Sequence, residues 1–479
     1  MYLGLDLGTS GVKALLIGND QSIIADAHAS LDVSRPAPGW SEQDPSDWIT
    51  ATQRALGTLA LSQDLSGVAG IGLSGQMHGA TLLDASDNPI RPCILWNDTR
   101  SHKEAAVLDA NARFRARTGN IVFPGFTAPK LLWCRNHEPD VFSKTAKVLL
   151  PKDYLRLWLT GHHVSEMSDA AGTSWLNTGE RRWDDALLAE TDLGPDHMPE
   201  LVEGCDASGS LRQEVATQFG IRAGIPVAGG AGDNAASAIG VGVVRAGDAF
   251  VSLGTSGVLF AANDGYAPDP DAALHTFCHA LPDRWHQMGV ILAATDALEW
   301  LGRLVGQNPA NLTASLGPLQ PPGKPVFLPY LGGERTPHND AHIRGAFIGL
   351  EHATDQAGAT RAVLEGVSFA LRDCLSVMQA TGTEISQLIA VGGGSASEYW
   401  LRAIATALNV PIAVPEKGDF GAAFGAARLA MMAAGQGDAD IASPPEISHV
   451  IEPVSELVDA FSEAHHRYTA TYHALKELP

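Results

Sequence analysis

The hexapeptide LGTSGV stands twice in this chain. It occurs as Leu7–Val12 in MYLGLDLGTSGVKALLI (residues 1–17) and as Leu253–Val258 in DAFVSLGTSGVLFAAND (residues 248–264). Both copies sit between apolar stretches of strand length, so each frame reads as strand, small-residue turn, strand, which is a hairpin. A repeat at this separation signals duplication. A Gly-Thr-Ser-Gly turn offers backbone N–H groups and hydroxyls with no bulk in the way. Two such turns facing each other across a cleft suit the phosphates of one nucleotide. The copies differ in one informative place: Asp6 precedes the first and Ser252 the second. A cleft that binds Mg²⁺ with the nucleotide needs a carboxylate on one side only, and Asp6 supplies it.

The rest of the chain extends this reading. With 479 residues it exceeds one core. Buried strands such as VAGIGLSG and QLIAVGGG alternate with helical patterns such as PSDWITATQRALGTLAL, ATRAVLEGVSFALRDCLSVMQA and SEYWLRAIATALN. The expected architecture is α/β, with two duplicated lobes at residues 1–222 and 223–479, the second opening near GIPVAGGAGDNAASAIG. A last helix is expected over about residues 453–478, packing back on the first lobe. The formal net charge of −22 argues against nucleic acid and anionic membrane as partners. Five scattered cysteines with no CxxC read as reduced thiols in a cytoplasmic protein. No run of 18 apolar residues suggests a membrane span.

Other patterns carry less. GIGLSG (Gly70–Gly75) matches GxGxxG, but the following QMHGATLLD does not read as a helix, so a dinucleotide site is not expected. No GxxxxGK[ST] is present. VGGGSASEYW (Val391–Trp400) ends a strand and opens a helix, where Gly392, Gly393 and Gly394 allow close approach of a flat or anionic group. The pairs His275/His279 and His338/His342 lack the glutamate of HExxH and a helical setting, and read as structural or solvated.

The chain resembles the FGGY carbohydrate kinases along nearly its whole length, most closely the branch that phosphorylates D-xylulose. The resemblance rests on GLDLGTSGVKALL, WSEQDPSDW, GQMHGATLLD, ILWNDTR, GFTAPKLLW, LLPKDYLRLWLTG, SDAAGTSWL, GGAGDNAASAIGVG, SLGTSGV, FLPYLGGERTPHND and RAVLEGVSFAL, in that order. GFTAPKLLW matches the first family signature. The second, GAFIGLEHATDQAGATRAVLE, departs at Gly358 and Ala359, which is expected to change a helix start and not the chemistry.

The resemblance implies two actin-like, ribonuclease-H-like lobes around a nucleotide cleft. It also implies transfer of phosphate from ATP, with Mg²⁺, to D-xylulose in pentose (xylose) catabolism, by a cytoplasmic and homodimeric enzyme. By motif, Gln76, Met77 and His78 fall in the sugar-binding loop. Asp233 is the catalytic base and a second Mg²⁺-associated carboxylate beside Asp6, and Asn234 lies by the sugar hydroxyls. Gly8, Thr9, Ser10, Gly254, Thr255 and Ser256 face the phosphates. Gly392, Gly393 and Gly394 form the adenosine motif, and Trp96, Asp98 and Lys130 lie near the sugar. Family members acting on ribulose, L-xylulose, gluconate or glycerol remain alternatives. So does an ATP-gated binding protein of the actin and heat-shock chaperone class, which shares the two-lobed cleft but has no small-molecule acceptor.

Overall fold

The computed structural model describes residues 1–416, 418 and 420–477. In the first half, β1 (Tyr2–Gly8) and β2 (Gly11–Ile17) form the hairpin read from the sequence, and β3 (Ile23–Ser30) adds to β2. On the other side β1 pairs in parallel with β4 (Gly70–Gly75). Beyond it lie β5 (Ala207–Ser210), β6 (Pro226–Ala228) and the short β7 (Ala231–Gly232), in the order β5-β6-β4-β1-β2-β3, with β7 also on β4.

The second half repeats this plan. β8 (Ala249–Leu253) and β9 (Gly257–Asn263) form the hairpin, extended by β10 (His275–Cys278) and β11 (Trp285–Ile291). β8 pairs in parallel with β12 (Leu388–Val391), followed by β13 (Ile412–Pro415) and antiparallel β14 (Ile447–Ile451). From β5 to β3 and from β14 to β11 the two sheets run through the same series of antiparallel and parallel pairs, as a duplicated unit should, and the second adds β10 at its edge.

The identical turns are not closed identically. In the first, Gly8 pairs with Gly11, so Thr9 and Ser10 alone make the turn. In the second, the ladder stops at Leu253–Gly257 and three residues form it. There the Gly254 and Thr255 carbonyls accept N–H groups of Ala294, Thr295 and Asp296, which draws the loop open.

Side-chain alternation along β1 sorts its two faces. Leu3, Leu5 and Leu7 face a core that includes residues of α1 (Pro45–Ser62) and α2 (Pro151–Thr160). Tyr2, Gly4 and Asp6 face the other way. Between the lobes runs α3 (Asp233–Val241). The second lobe carries α4 (Thr295–Val305), the 25-residue α5 (Gln356–Ala380) and α6 (Glu398–Leu408). Asp355 caps α5 by accepting the Gly358 N–H, so the departure at Gly358 leaves that start well capped.

The next helix, α7 (Ala422–Ala433), comes late in sequence yet lies on the first sheet. Glycine permits this. A Cβ on Gly4 would stand 1.9 Å from the Ala423 carbonyl, and one on Gly72 1.8 Å from that of Ala426. Gly72 belongs to the GxGxxG match, which is all strand, and its glycines admit a helix rather than a dinucleotide.

Two placements differ from the sequence reading. β6 and β7 fall in the first sheet, so the chain crosses to the second only after α3. Their short apolar runs carry no label of which sheet they join. The final helix α8 (Val458–Lys476) packs on the second lobe, where Phe461, Tyr468 and Tyr472 enter its core and the Tyr468 hydroxyl donates to that of Tyr330 at 2.7 Å. Residue 478 lies outside the described residues. No helix among the described residues is long and apolar enough to cross a membrane.

Candidate functional site

Three strand ends converge. β1 places Asp6 on the face toward α3, β4 runs into Gln76-Met77-His78, and β7 pairs Gly232 with Gly75, so Asp233 starts α3 beside that loop. Clefts at the carboxyl ends of parallel strands are the usual ligand position in such sheets. Burial raises the Asp233 pKa to about 6, and the nearby Asp6 carboxylate adds to the rise. The Asn234 N–H and side-chain amide, donating at 2.7 and 3.0 Å, offset part of it. Gly232 is the helix cap, so Asp233 is not fixed there for capping. Burial also raises Asp6, with Ser74 and Lys13 opposing, and its Oδ1 is buried with no hydrogen-bond partner.

The His78 ring receives its own environment. Its backbone is left-handed, with φ of 68°, its Nδ1 lies 2.7 Å from the Gly172 carbonyl, and its ring stacks on Phe126 with centroids 4.5 Å apart. Burial lowers its pKa to about 3, so the imidazole is neutral. A ring that donates from Nδ1 to a carbonyl has a bare Nε2, which can accept from a hydroxyl. Met77 packs against Gly232 and Gly172 and links the Gln76–His78 loop to the Asp233 corner.

Other residues named from the sequence support this loop from beneath. The Lys130 ammonium, with its side chain fully buried, donates to the carbonyls of His78 at 2.8 Å and Gly125 at 2.7 Å. Asp98 is buried, accepting from the Ser41 N–H at 2.6 Å and pairing with Arg100 at 2.7 Å. Both were expected near the sugar, but their polar groups are taken up by protein.

Trp96, 47% exposed, donates from Nε1 to the Thr9 hydroxyl at 3.0 Å; Thr9 donates to Gln76 at 2.9 Å, and Gln76 to Gln43 at 3.0 Å. This chain couples the first turn to the Gln76–His78 loop. Gln43, Phe126 and Gly172 carry no sequence signal of this role, because only the fold brings them there.

On the second lobe, cavities of about 470 and 650 Å³ flank Gly392–Gly394. The first lies among Ser237, Phe250, Ser252, Gly392 and Phe420. The larger has apolar walls from Leu298, Pro309, Ala310 and Ala314, and Gly393 and Gly394 on its floor. That size and lining suit a purine nucleoside. Gly392 has φ of 87° and touches the Leu253 backbone, so the glycine run adjoins the second turn.

The sequence reading missed a charged cluster behind Asp233. Lys152 lies 2.8 Å from Asp153, 3.4 Å from Asp169 and 3.6 Å from Glu166, all with fully buried side chains. Ser168 accepts the Gly232 N–H at 3.1 Å and donates to Glu166 at 3.0 Å, which ties the cluster to the corner before Asp233.

The histidines divide: His275 and His279 are buried on or beside β10, whereas His342 is exposed. All five cysteines are free thiols.

Residues 1–240 match the family model for the N-terminal domain of the FGGY family of carbohydrate kinases, and residues 249–434 match that for its C-terminal domain. The xylulose kinase of Escherichia coli (strain K12) is 49% identical over 437 residues, which is 91% of this chain and 90% of that protein. The crystal structure of a xyloylose kinase from Brucella ovis is 63% identical, with a TM-score of 0.99 and full coverage of both chains. The xylulose kinase structure from Rhodospirillum rubrum is 29% identical, with a TM-score of 0.93 and 99% of each chain covered. The duplicated cleft, the matched domains and these relatives lead to one assignment: the chain belongs to the FGGY family of carbohydrate kinases.

Proposed function

We propose that this enzyme transfers the γ-phosphoryl group of ATP to D-xylulose, giving D-xylulose 5-phosphate. The observation that carries the site reading is the raised carboxylate of Asp233, held between Asp6 and the Met77-His78 loop. In this reading Asp233 accepts the proton of the attacking C5 hydroxyl. His78 Nε2 and Asn234 meet other hydroxyls, and Met77 lies along the carbon skeleton. The turns at Gly8-Thr9-Ser10 and Gly254-Thr255-Ser256 grip the phosphates from the two lobes, and the adenosine lies by Gly393 and Gly394. Lobe closure excludes water, which would otherwise compete for the phosphoryl group.

Mg²⁺ fits the donor set: Asp6 has a buried, unpartnered oxygen, Asp233 is its neighbour, and one or two carboxylates plus substrate phosphates are the usual ligands. When bound, the ion neutralises phosphate charge. The homodimer and the cytoplasmic location are further parts of the proposal. They rest on the family resemblance and on the five reduced thiols.

A coupled ATP assay with D-xylulose, L-xylulose, ribulose, gluconate and glycerol tests the substrate. D-xylulose should give the highest kcat/KM; a higher value for any other substrate overturns the assignment. The adenosine position has its own test. A Cβ at Gly393 meets nothing within 4 Å, so Gly393→Val should leave the melting temperature unchanged. It should weaken binding of a non-hydrolysable ATP analogue by about tenfold or more, the cost of a poorly accommodated group in a fitted pocket. Unchanged affinity by calorimetry would move the nucleoside elsewhere.

A further inference from the structure

Among the ionisable side chains of the cleft, Asp6, His78, Asp233 and Arg335 share one combination. Each is enclosed deeply enough to shift its proton affinity, yet each keeps surface accessible to water. Lys130 and Lys152 are enclosed without that access. The first three already have roles in the proposed site, and Arg335 has none.

Its setting is built. Thr336, the next residue, exchanges two hydrogen bonds with Val290 of β11, at 3.0 and 3.1 Å, and donates to the Ala273 carbonyl at 2.9 Å. This fixes the backbone of Arg335 on the second lobe. Its guanidinium reaches across to the first lobe, where it lies 4.6 Å over the ring of Phe123. Its Nη1 donates to His275 Nε2 at 3.4 Å, and among the described residues Nε and Nη2 have no acceptor. Among the described residues no carboxylate pairs with it directly, and Glu334 acts on it through space. Its neighbour Glu334 is buried, with its pKa pushed up to about 8, and the Glu334 Oε1 is already used by the N–H groups of Leu292 and Arg335. The positive field of Arg335 is also felt at His275 and at His78, where burial comes first and Lys130 and Arg335 both help to keep the ring neutral.

The cleft therefore has two electrostatic ends. At one, Asp6 acts on Asp233, which faces the hydroxyl to be phosphorylated. At the other, Arg335 acts on His78. A guanidinium with free, forked donors binds oxygens in pairs, which a lysine ammonium does not do. We propose that Arg335 is the second lobe's contact with the sugar: it binds the carbonyl and hydroxyl oxygens at the end remote from the transferred phosphoryl group. This rests on the sugar-kinase reading above. Because His78 belongs to the first lobe and Arg335 to the second, a sugar held by both bridges the cleft and favours the closed state. Closure then depends on the acceptor being present, which restrains transfer of phosphate to water.

The test uses Arg335→Ala and Arg335→Met in the full chain, the second keeping an apolar stem over Phe123. The parent's activity on D-xylulose is measured first. Its failure would remove the substrate reading, and the comparison would then be made with whichever acceptor the parent uses. Both variants should bind an ATP analogue without sugar within twofold of the parent, and should lose about 10–100-fold in kcat/KM for the sugar, mostly through KM. Free guanidinium at tens of millimolar should restore several-fold of the lost activity to Arg335→Ala, and tetramethylammonium should not. A structural role for Arg335 would give no such selective rescue. If Arg335→Ala melts early, Arg335→Met decides. A sugar KM within twofold of the parent in a folded variant, or equal rescue by both cations, overturns the proposal.

Discussion

Asp233→Asn keeps its fold and its ATP affinity, and loses about 10²–10⁴-fold in phosphoryl transfer, the usual worth of a positioned base. Three observations separate the two effects. Gly232, not Asp233, caps α3, so no cap is lost. Asparagine can accept the same N–H group that Asp233 accepts. The carboxylate's enclosure raises its pKa, so its ionised form is a cost to the folded state. The sign follows from linkage. An acid whose folded pKa of about 6 exceeds its unfolded value leaves stability intact at low pH and reduces it as pH rises between the two values. The asparagine variant should therefore melt at or above the parent at pH 8, with the difference closing by pH 4. For the same reason the parent's kcat/KM should rise with pH through about 6, as the base loses its proton. The measurements are thermal melts, analogue binding and single-turnover product formation on one preparation. Near-parental turnover in the asparagine variant would remove Asp233 from the chemistry and leave Asp6 as the carboxylate at the phosphates.

What could be read from the sequence was what local pattern determines. The repeated LGTSGV marked both hairpins, because strand alternation and a small-residue turn are short-range signals. The strand ends before Gln76 and Gly392, and the helix starting at Asp233, were visible for the same reason. The supports beneath them were not. Lys130 falls in a motif that matches the family, and its spacing says nothing of whether its ammonium meets the sugar or two backbone carbonyls; here it meets the carbonyls of His78 and Gly125. The turn glycines show another limit. A Cβ on Gly11 would strike His28 at 2.4 Å and one on Gly257 would strike Ile291 at 2.7 Å, and neither glycine has a positive φ. Their smallness serves the neighbouring strand, a long-range contact, so substitution there tests folding before phosphate binding. The destination of α7 was hidden likewise. Gly4 and Gly72 admit the backbone of α7 on the first sheet, and Gly425 admits that of α3 on another side of α7, where a Cβ would stand 1.8 Å from the Ala236 carbonyl. Nothing in the alanine-rich run of α7 says which sheet will receive it.

Lys152→Met is expected to cost about 3–5 kcal/mol of stability near neutral pH, the range for removing one partner of a buried ion network. Methionine nearly matches lysine in volume, so little of the loss comes from a cavity. The loss comes from charge. Lys152 is the cation that touches Asp153, Glu166 and Asp169 together; among the described residues Arg156 reaches only Asp153, at 3.7 Å, and spends donors on the carbonyls of Val164 and Gly229. Burial already holds Glu166 and Asp169 above the usual carboxylate range, with Lys152 opposing that rise. Without the ammonium their proton affinities climb further. Acids raised in the folded state weaken it increasingly as pH rises above their unfolded values, so the deficit should be smaller at pH 5 than at pH 8. Adding Asp169→Asn removes one of the stranded charges, and should recover more than about 1 kcal/mol of the deficit as a coupling between neighbours. Because Ser168 joins Glu166 to the Gly232 N–H, the single variant should also lower kcat, with the KM for ATP little changed. Urea melts at three pH values and the double-mutant cycle check the energetics. A deficit below 1 kcal/mol that does not vary with pH would mean that the three acids are held by their own protons and by backbone donors, and that Lys152 is not what keeps this corner behind Asp233 in place.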